Sequence, residues 1–272
     1  MSASSEVSTS RPKAPDPLDA FRLDDRLIVV TGASEGIGCV FAEHFARAGA
    51  TVVLTSRRRD KLEMVRDRIR SAGGIAESVV ADVTRVSDIQ RLTQVVRELA
   101  NGTNFRLALV NNAGLAFTKP ALEVSESEWD AVFDVHVKGT FFCSQQIGSL
   151  MLDRGYGKIL NLSSTWAIAT EPGKAPYCAA KAATSQMTAA LATEWASSGV
   201  RVNALAPTTT MSEVTKQRMS ANPKRAEGLL SRIKLGRFAE PRDLVGTAIF
   251  LISSASDFVT GQTIFVDGGF TL

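Results

Sequence analysis

From Leu27 onward, short apolar and β-branched runs alternate with longer amphipathic stretches. Leu27–Thr31 (LIVVT), Thr51–Thr55 (TVVLT), Ala76–Ala81 (AESVVA), Leu107–Asn111 (LALVN), Lys158–Ser163 (KILNLS), Val200–Leu205 (VRVNAL) and the closing TIFVDGG read as strands. Helices are predicted between them over Gly36–Ala48, about Arg58–Ser71, 85–100, 125–153, about Ala175–Ser197 and near 241–252. The strands are apolar nearly throughout rather than alternating, which is the pattern of a strand covered by helices on both faces. The series predicts an α/β fold with one doubly wound parallel sheet. No linker or repeat interrupts it, so residues 21–272 read as one domain behind a disordered tail, 1–20, rich in Ser, Pro and Ala. The exception is residues 208–238, a polar and basic stretch between a strand end and the next helix, expected to be a substrate lid.

In such a sheet, ligands sit beyond the carboxyl ends of the strands, where strand order reverses. Thr31, Ser56, Asp82, Asn111, Ser164 and Pro207 all fall just past strand ends, which predicts one composite site. The first of these turns is glycine-rich: Thr31-Gly32-Ala33-Ser34-Glu35-Gly36-Ile37-Gly38. Gly32 permits a tight turn, and Gly36 and Gly38 permit close approach of backbone to ligand and strand. A helix opening at Gly36 would aim its N–H groups and positive end at a pyrophosphate. The domain is thus expected to be Rossmann-like, with a dinucleotide at this edge. After the second strand stands Thr55-Ser56-Arg57-Arg58-Arg59, with no acid before Asp60. Guanidinium suits phosphate oxygens, so NADPH/NADP+ is the predicted cofactor, with Arg57 the main contact to its 2′-phosphate and Ser34 and Arg58 secondary. Glu35 is an acid beside the same pocket. Asp82-Val83 ends the third strand where an adenine would lie, and Asn111-Asn112-Ala113-Gly114 closes the fourth, with Gly114 leaving room for a ribose.

Tyr177 and Lys181 are four apart in a predicted helix and so share a face, and Ser164 lies thirteen residues upstream of the tyrosine. An ordinary phenol, with a pKa of roughly 10, is a poor proton donor or acceptor at neutral pH. A neighbouring ammonium stabilises the phenolate, and a serine hydroxyl adds a hydrogen bond to the same reacting oxygen. The constellation predicts proton transfer to a carbonyl or from an alcohol, beside a nucleotide. Composition narrows the classes further. The chain has 272 residues, 44% hydrophobic and 22% charged, and reads as globular; a net charge of +3 gives no footprint for nucleic acid. Cys39, Cys143 and Cys178 are too few and too scattered for a disulfide framework or metal cage, and suit a reducing, cytoplasmic setting. With His44 and His136 the only histidines, no metal is expected. No run approaches the ~20 apolar residues of a membrane span, and the amino-terminal segment lacks the apolar core of a secretory signal.

Taken together, TGASEGIG, NNAG, Ser164, YCAAK and the late VDGG resemble the short-chain dehydrogenase/reductase family over about residues 23–272. The stretch LGRFAEPRDLVGTAIFLISSASDFVTGQTIFVDGG looks most like the branch of 3-oxoacyl-carrier-protein reductases and gluconate 5-dehydrogenases. The resemblance implies that Tyr177 donates a proton to the substrate oxygen, that Ser164 orients that oxygen, and that Lys181 binds the nicotinamide ribose and lowers the Tyr177 pKa. It implies a homotetramer (or homodimer) and a small carbonyl or alcohol substrate. The family's fourth catalytic position, an Asn whose backbone carbonyl holds a water, is His136 here. The usual Pro-Gly after the sixth strand is Pro207-Thr208, leaving Thr210 and Ser212 to reach the carboxamide. The cation that carrier-protein reductases tend to carry before that strand is missing from Ala196-Ser197-Ser198-Gly199, although the lid is basic (Lys216, Arg218, Lys224, Arg225). The leading expectation is an NADPH-dependent reductase of ketones or 3-oxo compounds, with Trp166 joining Ser164 and Tyr177 at the substrate and Ala167, Ile168 and Ala169 beside them. An NAD(P)-linked polyol or sugar-acid dehydrogenase is the alternative, and a non-catalytic nucleotide-binding relative is a third.

Overall fold

An apolar run buried on both faces can satisfy its backbone only by pairing with strands like itself, and the seven runs do so. The computed structural model describes residues 16–272. Its strands are β1 (Arg26–Thr31), β2 (Thr51–Ser56), β3 (Ile75–Val80), β4 (Arg106–Asn111), β5 (Gly157–Leu162), β6 (Val200–Pro207) and β7 (Thr263–Val266). They form one parallel sheet in the order β3-β2-β1-β4-β5-β6-β7. The chain winds outward from β1 to β3, then returns to β4 on the other side of β1. Strand order therefore reverses between β1 and β4, where Val30 stands opposite both Leu54 and Val110.

The helices are α1 (Gly36–Arg47), α2 (Arg59–Ser71), α3 (Val86–Ala100), α4 (Glu126–Phe133), α5 (Thr140–Asp153), α6 (Ala175–Trp195), α7 (Glu213–Ala221), α8 (Pro223–Leu230) and α9 (Val245–Ile252). Successive strand side chains point to opposite faces, and both faces are covered. Ile28 and Val30 meet Phe41 and Phe45 of α1, Leu62 of α2 and Leu251 of α9. Leu27 and Val29 meet Leu92 of α3, Ile147 of α5 and Leu191 of α6.

The run 125–153, predicted as one helix, is continuous but not uniform: between α4 and α5, residues Asp134–Gly139 form a π-helical turn. Within the predicted tail, Pro17–Phe21 form a 3₁₀ turn capped by the Asp16 side chain, and residues 1–15 lie outside the described residues. No helix among the described residues is long and apolar enough to cross a membrane.

Polar groups inside the sheet are joined to one another. Asn111 of β4 donates to Ser144 of α5 (3.0 Å) and to Asn161 of β5 (2.9 Å), and Asn161 donates to Thr188 of α6 (2.9 Å). Replacing Asn161 by Ala leaves buried partners unsatisfied, each costing about 1–3 kcal/mol. A lower urea midpoint at unchanged slope is the expected outcome, and an unmoved midpoint would count against the network.

At the amino ends of the strands a second cluster closes the sheet. The guanidinium carbons of Arg26 and Arg106 and the Lys158 ammonium lie 5.0, 4.7 and 5.9 Å from the centre of the Tyr156 ring. Asp257 accepts from the Tyr156 hydroxyl and from Lys158, each at 2.8 Å. This rim lies at the end of the strands remote from the glycine turn.

Candidate active site

The glycine turn is held from behind before it meets any ligand. Thr31 Oγ1 accepts from the backbone N–H groups of Asn112 and Ala113, both at 3.0 Å. The Asn112 amide in turn donates to the carbonyls of Thr31 (2.9 Å) and Gly32 (3.2 Å). Gly32 has φ +65°, and a Cβ there would lie 2.8 Å from Ala113 Cα, so only glycine closes this junction. Gly36, at φ +61°, opens α1 onto free space, its nearest neighbour across the groove being Ser212. The side chain of Glu35, at the N-cap, makes no capping bond. The first-turn N–H groups of α1 are thus open to an anion. Gly38 sits behind the turn, beneath Gly32 and Asn112, and serves its closure rather than the groove.

A groove runs along the carboxyl edge of the sheet in three connected sections. The first, about 380 Å³, is lined by Ser34, Glu35, Arg57, Arg58, Asp82, Val83, Ala113 and Gly114 among others. Arg58 donates to Ser34 (3.0 Å) and pairs with Glu35 (2.6 Å), which also meets Lys61 (3.0 Å). These cations hold the Glu35 carboxyl below its ordinary pKa, the Arg58 hydrogen bond first. Arg57 is exposed and has no ion-pair partner among the described residues. Asp82 keeps one oxygen on Thr84 (2.8 Å), leaving the other available. One expectation narrows here and one changes. Arg58 is engaged by Glu35 and Ser34, so Arg57 is the cation open to a phosphate. Asn111 points into the buried network described above, and Asn112, its neighbour, lines the groove instead. These features fit a dinucleotide with an additional phosphate.

The middle section, about 710 Å³, reaches Ile37, His136, Tyr177, Lys181 and Ser212. Ser164, Trp166, Tyr177 and Thr210 line the third, about 590 Å³. The Ser164 hydroxyl accepts from Trp166 N–H (3.2 Å), whereas that of Ser163 is taken by Ser185 (2.7 Å) and the Lys181 carbonyl (3.2 Å). The Lys181 ammonium lies 5.6 Å from the centre of the Tyr177 ring and donates to the Leu162 carbonyl. Burial pushes the Tyr177 phenol up to about 12, opposed by the Ser164 hydroxyl, and pushes Lys181 down to about 7. The sequence predicts a phenol acidified by the ammonium; burial acts in the opposite direction, with the ammonium lying over the ring.

His136 lies in the π-helical turn, its ring 5.3 Å from that of Tyr177 and edge-on to it. Its Nε2 is 2.7 Å from the Leu115 carbonyl and 3.1 Å from the Leu115 nitrogen, so the ring secures the loop after β4. Burial holds the imidazole down at about 3, with Lys181 contributing, so it is neutral at physiological pH. Its stabilising contribution is complete above about 6.5 and is lost as pH falls toward about 3. The His136 carbonyl accepts from Thr184 at 3.3 Å. A sequence pattern carries no mark of a π turn.

The basic stretch 208–238 folds as α7 and α8 over the groove. Arg225 grips Glu171 through two bonds (2.6 and 2.8 Å), and Arg218 donates to the Ala116 carbonyl (3.2 Å). Lys216 turns to Glu213 instead. Trp166 touches the groove, but its ring is packed among Met219, Leu229, Ile233 and Phe270, where it anchors the covering helices. Ala169 packs against that same cluster, and Ile168 is exposed on a separate depression beside Phe270 and Leu272, outside the predicted pocket. The Thr210 hydroxyl donates to the Thr208 carbonyl, and Ser212 caps α7. Lys174, not singled out in the sequence, lines the third section; its ammonium donates to the Phe117 carbonyl (2.9 Å) and is pushed down to about 8 by burial and by Arg225.

The family model described as enoyl-(acyl carrier protein) reductase matches residues 32–271. The gluconate 5-dehydrogenase of Gluconobacter oxydans is 37% identical over 254 residues, covering 93% of this chain and 98% of the relative. The galactitol 2-dehydrogenase (L-tagatose-forming) of Cereibacter sphaeroides is 40% identical over 254 residues, 93% of this chain and 97% of the relative. Among solved structures, a gluconate 5-dehydrogenase from Burkholderia cenocepacia in complex with NADP and tartrate superposes with a TM-score of 0.88 at 35% identity, covering 94% of this chain and 99% of that one.

Proposed function

The chain belongs to the short-chain dehydrogenase/reductase family, and on that basis we propose that it is an NADP(H)-dependent oxidoreductase that interconverts a ketone and a secondary alcohol. The observation that carries this reading is the convergence of Ser164, Tyr177 and Lys181 on one groove that begins at an uncapped helix end.

Thr31, Asn112 and the glycines hold the turn that would receive the pyrophosphate, and Asp82, Val83 and Gly114 line the section that would hold the adenosine. When bound, the cofactor supplies hydride to the carbonyl carbon, or accepts it from the alcohol. Tyr177 gives its hydroxyl proton to the carbonyl oxygen, and Ser164 donates a hydrogen bond to the same oxygen as charge develops there. Lys181, half-charged near neutrality and bonded to the Leu162 carbonyl, stands behind the ring as the source that reloads the phenol. His136 keeps the Leu115 loop and the Tyr177 ring in register. The free cysteines accord with a reducing, cytoplasmic setting, and the exposed Trp129 and Phe141 on α4 and α5 accord with a homotetramer, which the mass in solution would check.

Preference for NADPH over NADH rests on Arg57. The acid nearest the same pocket, Glu35, is neutralised by Arg58 and Lys61, so it offers little repulsion to a phosphate. Arg57→Leu is expected to lower kcat/KM for NADPH by roughly 10- to 100-fold, the range for losing a charge-assisted bond, without lowering that for NADH. A native enzyme that prefers NADH, or a variant that keeps its NADPH preference, would remove Arg57 from the account.

A further inference from the structure

The substrate end of the groove carries more positive charge than its own framework neutralises. Lys174 is only 6% exposed, yet it has no carboxylate partner among the described residues; its ammonium bonds the Phe117 carbonyl alone. Glu171, the acid in the same turn, is held by both arms of Arg225. Arg218, on the same wall, bonds only the Ala116 carbonyl. Three cations thus face one carboxylate that is already committed. A buried charge without a counterion is costly, and proteins hold one where something else supplies the opposite charge.

The position of Lys174 is built rather than incidental. Gly173, at φ +77°, takes a conformation open to glycine, and its carbonyl accepts from Lys119 N–H at 3.1 Å, clipping the turn to the loop after β4. Lys174 N–H closes the turn on the Glu171 carbonyl (3.3 Å). Lys174 is the N-cap residue of α6, three residues before Tyr177, and both line the same section of the groove. An anion at Lys174 would therefore occupy the same section of the groove as the carbon reacting at Tyr177.

We propose that the substrate is a short hydroxy acid or its keto acid, whose carboxylate is held by Lys174 and Arg218 while its reacting carbon lies against Tyr177 and Ser164. This rests on the oxidoreductase reading of the same site. A carboxylate matches a paired ammonium and guanidinium. The phosphates of a coenzyme A or carrier thioester lie at the far end of a long arm, which ill suits a cation buried on the floor beside the phenol.

The test pairs aldonic acids with the alditols of the same carbon skeleton, such as D-gluconate with D-glucitol, oxidised with NADP+ by the full-length enzyme. The native protein is expected to favour the acid by at least about tenfold in kcat/KM, and Lys174→Met to lower that acid-to-alditol ratio by roughly 10- to 100-fold, mainly through KM. Lys174→Arg is expected to restore much of it. The ratio cancels damage common to both substrates, so a merely structural role leaves it unmoved. A ratio near one in the native enzyme, an unchanged ratio in Lys174→Met, or a larger loss toward 3-oxobutyryl-coenzyme A than toward the acid would each overturn the inference. Turnover of alditols and simple ketones without acid preference overturns it while leaving the oxidoreductase reading intact. No turnover of any of them overturns both.

Discussion

Tyr177→Phe is expected to reduce kcat for ketone reduction by about 10²- to 10⁴-fold, the usual contribution of a positioned proton donor, with NADPH binding retained. The substitution removes one oxygen and keeps the ring, so the edge-on contact with His136 at 5.3 Å survives. Loss of turnover with retained cofactor affinity therefore isolates the hydroxyl. The effect should be large because burial keeps the phenol protonated where it faces the substrate end beside Ser164, while the Lys174 ammonium on the same wall is committed to the Phe117 carbonyl. Ser164 is an unactivated alcohol, His136 is neutral with its Nε2 engaged at Leu115, and Lys181 is bonded to the Leu162 carbonyl. Measured turnover of the variant close to native would show that the proton comes from elsewhere and would end the proposed role of Tyr177.

Gly38→Ala is expected to weaken NADPH binding by roughly 10- to 100-fold, the scale of losing a charge-assisted hydrogen bond between the displaced turn and the pyrophosphate. A methyl group there would lie 2.6 Å from the Gly32 carbonyl oxygen and closer still to the Asn112 amide. The turn must move to admit it, and the Asn112 bonds that tie β4 to β1 go with it. Overpacking of this kind also costs about 1–3 kcal/mol of stability, so both the cofactor titration and the thermal midpoint should respond. Gly246→Ala is the matched control, since a Cβ on that helical glycine meets nothing within 4 Å. Native affinity in the Gly38 variant would mean that the turn is not what receives the cofactor.

The architecture was legible because burial on both faces writes itself into the central strands: LIVVT, TVVLT and LALVN carry no polar alternation to hide behind. The glycine turn and the Tyr177–Lys181 spacing were legible for a similar reason, being local patterns whose geometry follows from a few residues. What escaped depends on contacts between distant parts of the chain. The Arg225–Glu171 grip spans 54 residues and the Asn112–Thr31 clasp 81, and neither leaves a periodic trace. Asn111 and Asn112 are identical in type, and only the pleat of β4 decides which faces the groove. Trp166 lines the groove beside Ser164, and only the long-range packing shows that its ring also anchors the covering helices. The Tyr177–Lys181 spacing places the ammonium on the right face but says nothing about the burial that acts on both groups.

The two rims of the sheet have separate duties. Arg26, Arg106 and Lys158 close one end around Tyr156, while the groups assigned to chemistry stand at the other, on the turns after the strands and on α6, beneath α7 and α8. A lineage can thus exchange the covering helices, or the single residue at 174, and arrive at a new metabolite without renegotiating its foundations. Diversity of substrate among proteins that share this scaffold is then the expected result of a floor plan that keeps workshop and footings apart.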